Sequence, residues 1–268
     1  EQGEIEQRDA QNMDEEKNNQ RLNDQKNNQF KTFRFCSRKM ESFNRTGMDW
    51  ESFADRLRVL DLSGNRLSSL GVQAIGDSGQ LENTVPPFMP YLETFDLSNN
   101  DIKTIAPFAF SKCPKLKELN ISNNSIRSLG GLEESFELKI LNASYNNLRL
   151  VSGIGQLNNL HSLNLGNNNI STLVALRPLS MNIGLKELIL KNNPVGGYNP
   201  ANYRSNSNNQ HNDSNQTQRY SSLRPCIISF VPHLFKLDNV RVPPSSTQRK
   251  LIQKEEKRLQ LELEKTSL

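Results

Sequence analysis

Six asparagines, Asn65, Asn100, Asn124, Asn146, Asn168 and Asn193, each close the same Leu-x-x-Leu-x-Leu-x-x-Asn phrase, at intervals of 35, 24, 22, 22 and 25 residues. A fixed period of twenty-odd residues marks one small structural unit copied along the chain, and it constrains the fold more than any local motif. The first copies read Leu57-Arg-Val-Leu60-Asp-Leu62-Ser-Gly-Asn65, Leu92-Glu-Thr-Phe95-Asp-Leu97-Ser-Asn-Asn100 and Leu116-Lys-Glu-Leu119-Asn-Ile121-Ser-Asn-Asn124. Three more run from Leu138, Leu160 and Leu185, and several continue with apolar residues two and five positions past the asparagine, as in Leu67 and Leu70. Alternating apolar residues turn one face of a short strand inward. One coil cannot bury that face alone, so neighbouring coils must stack and share a core. Each strand then turns sharply and leaves backbone polar groups inside the stack that need partners. Asparagine carries a donor and an acceptor on a short stem, and is expected to bond the turn of its own coil and that of the next. A period of 22 leaves room on the return side for a turn or a short helix.

These phrases resemble leucine-rich repeats. The expected fold is therefore an α/β solenoid, with a curved parallel β-sheet, short helices or turns on the convex side, a helical C-terminal cap and a tail helix. A weaker copy, Phe30-Lys-Thr-Phe33-Arg-Phe35-Cys-Ser-Arg38, has the spacing with aromatics for leucine. It reads as an atypical first coil covering the end of the core, with Trp50 and Phe53 on its return side, or as an unstructured approach with scattered aromatics. At the other end, Asn193-Pro194, Tyr203-Arg204 and Cys226 to Val240, which contains Val231-Pro-His-Leu234-Phe-Lys-Leu237-Asp238, is similar to the C-terminal cap of intracellular leucine-rich-repeat proteins of the 22-residue class. That class includes a phosphatase-1 regulator, the A-prime protein of the U2 spliceosomal particle, and dynein and axonemal light-chain-like proteins. The resemblance covers residues 30 to 242. Residues 205–218 interrupt it with a run of Asn, Ser, Gln and Thr that has nothing to bury and is expected as a surface loop. Either Tyr203-Arg204 or Arg219-Tyr220 then fills the position before the cap helix. A second insertion, 71 to 90, lengthens the first interval and should bulge from one rim.

The domain organisation that follows is a disordered polar arm over 1–29, the repeat domain with its cap over 30–242, and a charged C-terminal helix over 243–268. The net charge of +4 is uneven: residues 1–29 hold eight acids against four bases, and 241–268 four against seven. So modest a total gives no argument for nucleic acid. Cys36, Cys113 and Cys226 are odd in number and far apart, whereas secreted repeat proteins of this kind usually close their ends with disulfides. No signal peptide is visible and no apolar run approaches 18 residues, so an intracellular, cytoplasmic setting without membrane contact is expected. The sequons at Asn120 and Asn142 fall on the strand face and read as by-products of the repeat alphabet.

No catalytic constellation is found. His161, His211 and His233 share no ligand spacing with each other or with the cysteines, and Gly153-Ile154-Gly155 is a lone Gly-x-Gly that reads as a turn. Neither enzymatic activity, a cofactor nor a metal is expected. What remains is the outward face of the strands, Val59 and Asp61, Thr94 and Asp96, Glu118 and Asn120, Ile140 and Asn142, Ser162 and Asn164, Glu187 and Ile189, together with Tyr145. A polar wall of this kind can hydrogen-bond a protein over several coils, with Tyr145, Ile140 and Ile189 as apolar anchors. The plainer reading is that Asp-Leu-Ser-Asn-Asn is only the commonest spelling of the repeat. Segment 246–268, with Ile252, Leu259 and Leu263 on one stripe, either packs back on the cap or offers a second contact. The lysines and arginines read as spread over return loops (Lys112, Lys115, Lys117, Arg127), so direct nucleic-acid binding is not expected. The function this supports is a scaffold or regulatory subunit gripping a protein partner, phosphatase-, cytoskeleton- or cilium-associated. The alternative is a ribonucleoprotein component similar to the U2 A-prime protein.

Overall fold

The computed structural model describes residues 32–41, 49–71, 73–75, 81–83, 88–196, 224–231 and 233–243. Its strands in chain order are β1 (Thr32–Arg34), β2 (Val59–Asp61), β3 (Ser69–Leu70), β4 (Gln73–Ile75), β5 (Leu81–Asn83), β6 (Thr94–Asp96), β7 (Thr104–Ile105), β8 (Glu118–Asn120), β9 (Ile140–Asn142), β10 (Ser162–Asn164), β11 (Glu187–Ile189), β12 (Lys236–Leu237) and β13 (Val240–Arg241). Nine of them form one sheet in the order β1-β2-β6-β8-β9-β10-β11-β12-β13. All pairings are parallel except the last, β12 with β13, because every period returns the chain to the start of the next strand.

Register is set by the inward leucine. Phe33, Leu60, Phe95, Leu119, Leu141, Leu163, Leu188 and Leu237 stand opposite one another across the sheet. From Leu60 onward this row is buried, and it joins the other phrase leucines in one core running the length of the stack. Burying such a side chain stabilises by about 1.5–3 kcal/mol, and a shift of one residue would turn the whole row outward. The return side consists of turns and 3-10 segments, of which Leu173–Met181 is the longest, and β3 pairs with β7 there. Gly153 lies on this side with φ +85°, and a Cβ on it would stand 2.5 Å from the Leu129 carbonyl oxygen. Its glycine is required by the close stacking of two return loops, which is a packing role.

The asparagines form a ladder. Asn146 Nδ2 donates to Ala143 O in its own coil and to Ile121 O in the coil before it, while its Oδ1 accepts from Ile126 N. Asn100, Asn124, Asn168 and Asn193 repeat the pattern. The cross-coil bond therefore reaches back to the preceding coil, where the sequence reading had it reaching forward. The strand is followed by its turn, and it is the preceding coil's return segment that lies alongside that turn.

The two ends close differently. At the start, Phe33 packs on Trp50 and Phe53 with ring centroids 6.0 and 5.2 Å away, and Asn65 Oδ1 accepts from the Arg38 and Met40 amides. At the other end, α1 (residues 224–230) buries Ile227 and Ile228, and the Arg224 guanidinium holds the Leu237 and Val240 carbonyls. Within the insertion after Gly71, β4 and β5 pair antiparallel. The polar arm 1–29, the insert 205–218 and the tail segment 246–268 lie outside the described residues.

Candidate functional site: the concave sheet and its rim

Two outward columns line the sheet. The first is Thr32, Val59, Thr94, Glu118, Ile140, Ser162, Glu187 and Lys236; the second is Arg34, Asp61, Asp96, Asn120, Asn142, Asn164 and Ile189. Every strand residue named from the sequence falls in one of these columns. Most are half-buried, and Glu118 and Ile140 are exposed.

Much of the second column is already engaged. Oδ1 of Asp61, Asp96, Asn120, Asn142 and Asn164 each accepts the amide two residues on, a side-chain turn that ends the strand. Asn120 Nδ2 also donates to Asp96 Oδ2 at 3.0 Å. At Asp61, burial raises the carboxyl pKa, but the bonds from Ser63 and Cys36 and the charge of Arg34 outweigh it and leave the pKa lowered. Ile189 cannot make this turn. The equivalent amide, Lys191 N, is taken by Asp238 Oδ1 from the next coil, at 2.8 Å, together with Leu190 N at 2.6 Å. Asp238 thus supplies from the cap the acceptor that the last full repeat lacks.

One position past each turn, the backbone is left-handed at Gly64, Asn99, Asn123, Tyr145, Asn167 and Asn192. Glycine and asparagine tolerate this region; tyrosine is costly there. Yet Tyr145 has φ +54° and is 59% exposed, held by Tyr145 N to Gly166 O and Asn124 N to Tyr145 O. Its neighbours in the row are asparagines, and Ile140, 43% exposed, sits on the strand of the same coil.

A further column lies one residue before each strand, and the sequence reading missed it. Arg58, Glu93, Lys117, Lys139, His161, Lys186 and Phe235 are joined in that order by backbone bonds of 2.7–2.9 Å, each amide donating to the carbonyl of the coil before. The signal was present: all but Phe235 occupy the second position of the repeated phrase, and reading that position vertically gathers four of the bases on one edge. Glu93 is clamped between Arg58, at 2.8 Å, and Lys117, at 2.9 Å. The Lys117 bond is the main reason its carboxyl pKa is lowered.

Among the described residues no group of three or more His, Cys, Asp or Glu could hold a metal ion, and no helix is long and apolar enough to cross a membrane. The cysteines are unpaired, and burial pushes the Cys113 thiol up to about 12.

Two family profiles match, both described as leucine rich repeat, over residues 90–148 and 57–76. Toll-like receptor 9 of Mus musculus is 34% identical over 87 residues, 32% of this chain and 7% of that protein. Podocan-like protein 1 of Mus musculus is 34% identical over 86 residues, 28% of this chain and 15% of that protein. The chain thus spans a small fraction of the length of these relatives. Among solved structures, a chain of the Drosophila melanogaster SNF/U2A' complex is similar with a TM-score of 0.46 and 22% identity, covering 69% of this chain and 86% of that one. With the matched profiles, the parallel register and the asparagine ladder, the described chain is a leucine-rich-repeat solenoid.

Proposed function

We propose that this chain is a non-enzymatic, intracellular interaction scaffold whose concave sheet grips a folded protein partner, with Tyr145 and Ile140 as its anchors. The observation that carries this reading is Tyr145. A large aromatic is kept in a left-handed position that neighbouring coils fill with asparagine, and it faces solvent instead of packing. Holding it there costs on the order of 1 kcal/mol, a strain of the sort that persists at binding sites. Exposed aromatics are also the residues that dominate binding energy at protein interfaces. The engaged polar residues around it keep the sheet rigid, so little ordering entropy is lost when a partner docks.

A partner of phosphatase, cytoskeletal or ciliary type fits the resemblance of the cap to the 22-residue class. The second reading is a ribonucleoprotein component similar to the U2 A-prime protein, joined to an RNA-containing particle through a protein. What supports it is the same cap phrase, ending in Leu237 and Asp238, whose likeness extends to the U2 A-prime protein within that class.

The test compares wild-type chain with Tyr145→Asn and with Ile140→Ala as bait in an extract of its own source, with and without ribonuclease. Tyr145→Asn should raise the melting temperature slightly and release the retained partner. A partner retained equally by both variants would move the site off this face. Recovery of splicing proteins that is lost in part on ribonuclease treatment, with one directly bound protein retained, would favour the second reading.

A further inference from the structure

We propose that the rim just before the strands is a second docking surface, for an acidic segment of a partner protein whose carboxylates bridge Lys139 and Lys186 across His161. It is a different surface from the concave sheet and does not depend on Tyr145. The argument rests on a template within the same column. In its first half the order is Arg58, Glu93, Lys117, and the central carboxylate bonds the cations on both sides. In its second half the order is Lys139, His161, Lys186, with the same backbone spacing. Here the central residue brings no negative charge.

His161 Nδ1 donates to its own coil, to the Asn159 carbonyl. Lys139 and Lys186 make no ion pair among the described residues. Of the acids in the same coils, Glu187 is occupied by Lys236 at 2.6 Å, and Glu137 forms no ion pair among the described residues. Adjacent strands lie about 4.8 Å apart, so the two lysines are about 10 Å apart along the rim, within reach of carboxylates on an extended or helical peptide. Phe136 and Ile183, 55% and 63% exposed, each stand two residues before their coil's first leucine and flank the pair with apolar surface. Asn159 Nδ2 fixes the Phe136 turn through its carbonyl at 2.8 Å. Charged contacts with apolar flanks suit an acidic peptide. Glu118, Glu137 and Glu187 beside the lysines repel any anion, which a peptide avoids by spacing its carboxylates to the lysines and a phosphate backbone, charged at every residue, does not.

The experiment is fluorescence anisotropy on the full chain with a labelled ten-residue oligoglutamate, an oligoglutamine of equal length and a ten-nucleotide oligouridine. Oligoglutamate should bind and oligoglutamine should not. Lys139→Glu with Lys186→Glu should weaken oligoglutamate binding about tenfold or more, since each exposed pair contributes modestly and reversal adds repulsion. Tyr145→Asn should leave it unchanged, which separates this surface from the concave one. The paired reversal Lys112→Glu with Arg127→Glu, placed on return segments, controls for net charge. The proposal is overturned if oligoglutamate does not bind, if the two reversals weaken it equally, or if oligouridine binds as tightly. Circular dichroism melts of each variant confirm that folding is retained.

Discussion

An asparagine amide offers two hydrogens and one oxygen, and at Asn146 all are spent on backbone groups of two adjacent coils. Asn146→Ala leaves the Ile126 amide without a partner in a buried place, while the Ile121 and Ala143 carbonyls each keep a bond, from Asn124 and Asn168, at a cost of about 2 kcal/mol. Urea denaturation should read this as a lowered midpoint, and a loss under 1 kcal/mol would mean that water replaces the amide. Asp238 poses the opposite problem. Burial raises its carboxyl pKa, and the amides of Leu190 and Lys191 and the Lys191 charge only partly offset that, while Oδ2 is buried without a hydrogen-bond partner. A carboxyl whose folded pKa lies above its unfolded value contributes stability that is full below the unfolded pKa, near 3.8, and is lost as pH rises through the folded one. Asp238→Asn keeps an oxygen for both amides and removes the charge. It should therefore be as stable as wild type or more so at pH 7, with a flatter stability profile on the acidic side of neutrality. A variant that is less stable at pH 7 but keeps the wild-type slope would show that the carboxylate charge is needed.

At the scale of elements, each coil is a strand, a turn and a return, and the return is where glycine matters. Gly153→Ala would put a methyl 2.5 Å from the Leu129 oxygen at φ +85°, whereas at Gly155 the nearest atom, Pro178 O, is 3.2 Å away and φ is ordinary. Gly153→Ala should cost more than about 1 kcal/mol and Gly155→Ala clearly less, and thermal melts of the two compare them directly. Equal melts would mean that the loops part without penalty. The contrast shows how the sequence could be read. The strand leucines and the asparagine ladder were legible because a period-2 pattern repeated every coil leaves no other register for the sheet. The outward columns follow from the same alternation, so Ile140 and Asn142 could be placed on one face from the chain alone. The strain at Tyr145 was not legible, because φ there is set by the turn and appears only as Gly or Asn in the other copies. Nor was the Asp238 substitution, which joins residues 47 and 48 positions apart. The rim column was present in the second position of the phrase but was read along the chain instead of across it.

At the scale of the molecule, each coil touches its neighbours and little else, so stability is close to a sum of coil and interface terms, with the ends most easily opened. The first coil is held by the aromatic stack of Phe33, Trp50 and Phe53 and lends its own backbone to Asn65. The cap is held by α1 and Asp238. The middle has a neighbour on both sides. Three native cysteines sample this gradient: half-buried Cys36 in the first coil, buried Cys113 in the middle and half-buried Cys226 in α1. Thiols react as thiolates, and burial raises the pKa of Cys36 and pushes that of Cys113 up to about 12. With a thiol-specific label and increasing urea, Cys36 and Cys226 should be modified at concentrations where Cys113 is still protected. Cys113 should follow only with the loss of far-ultraviolet circular dichroism. Fraying from the ends predicts that order, whereas an all-or-none array predicts that all three become reactive together. Modification of Cys113 before Cys36 would refute the gradient. A partner gripping the concave sheet across several coils would delay Cys113 further, because it closes the same interfaces that must part to expose the thiol.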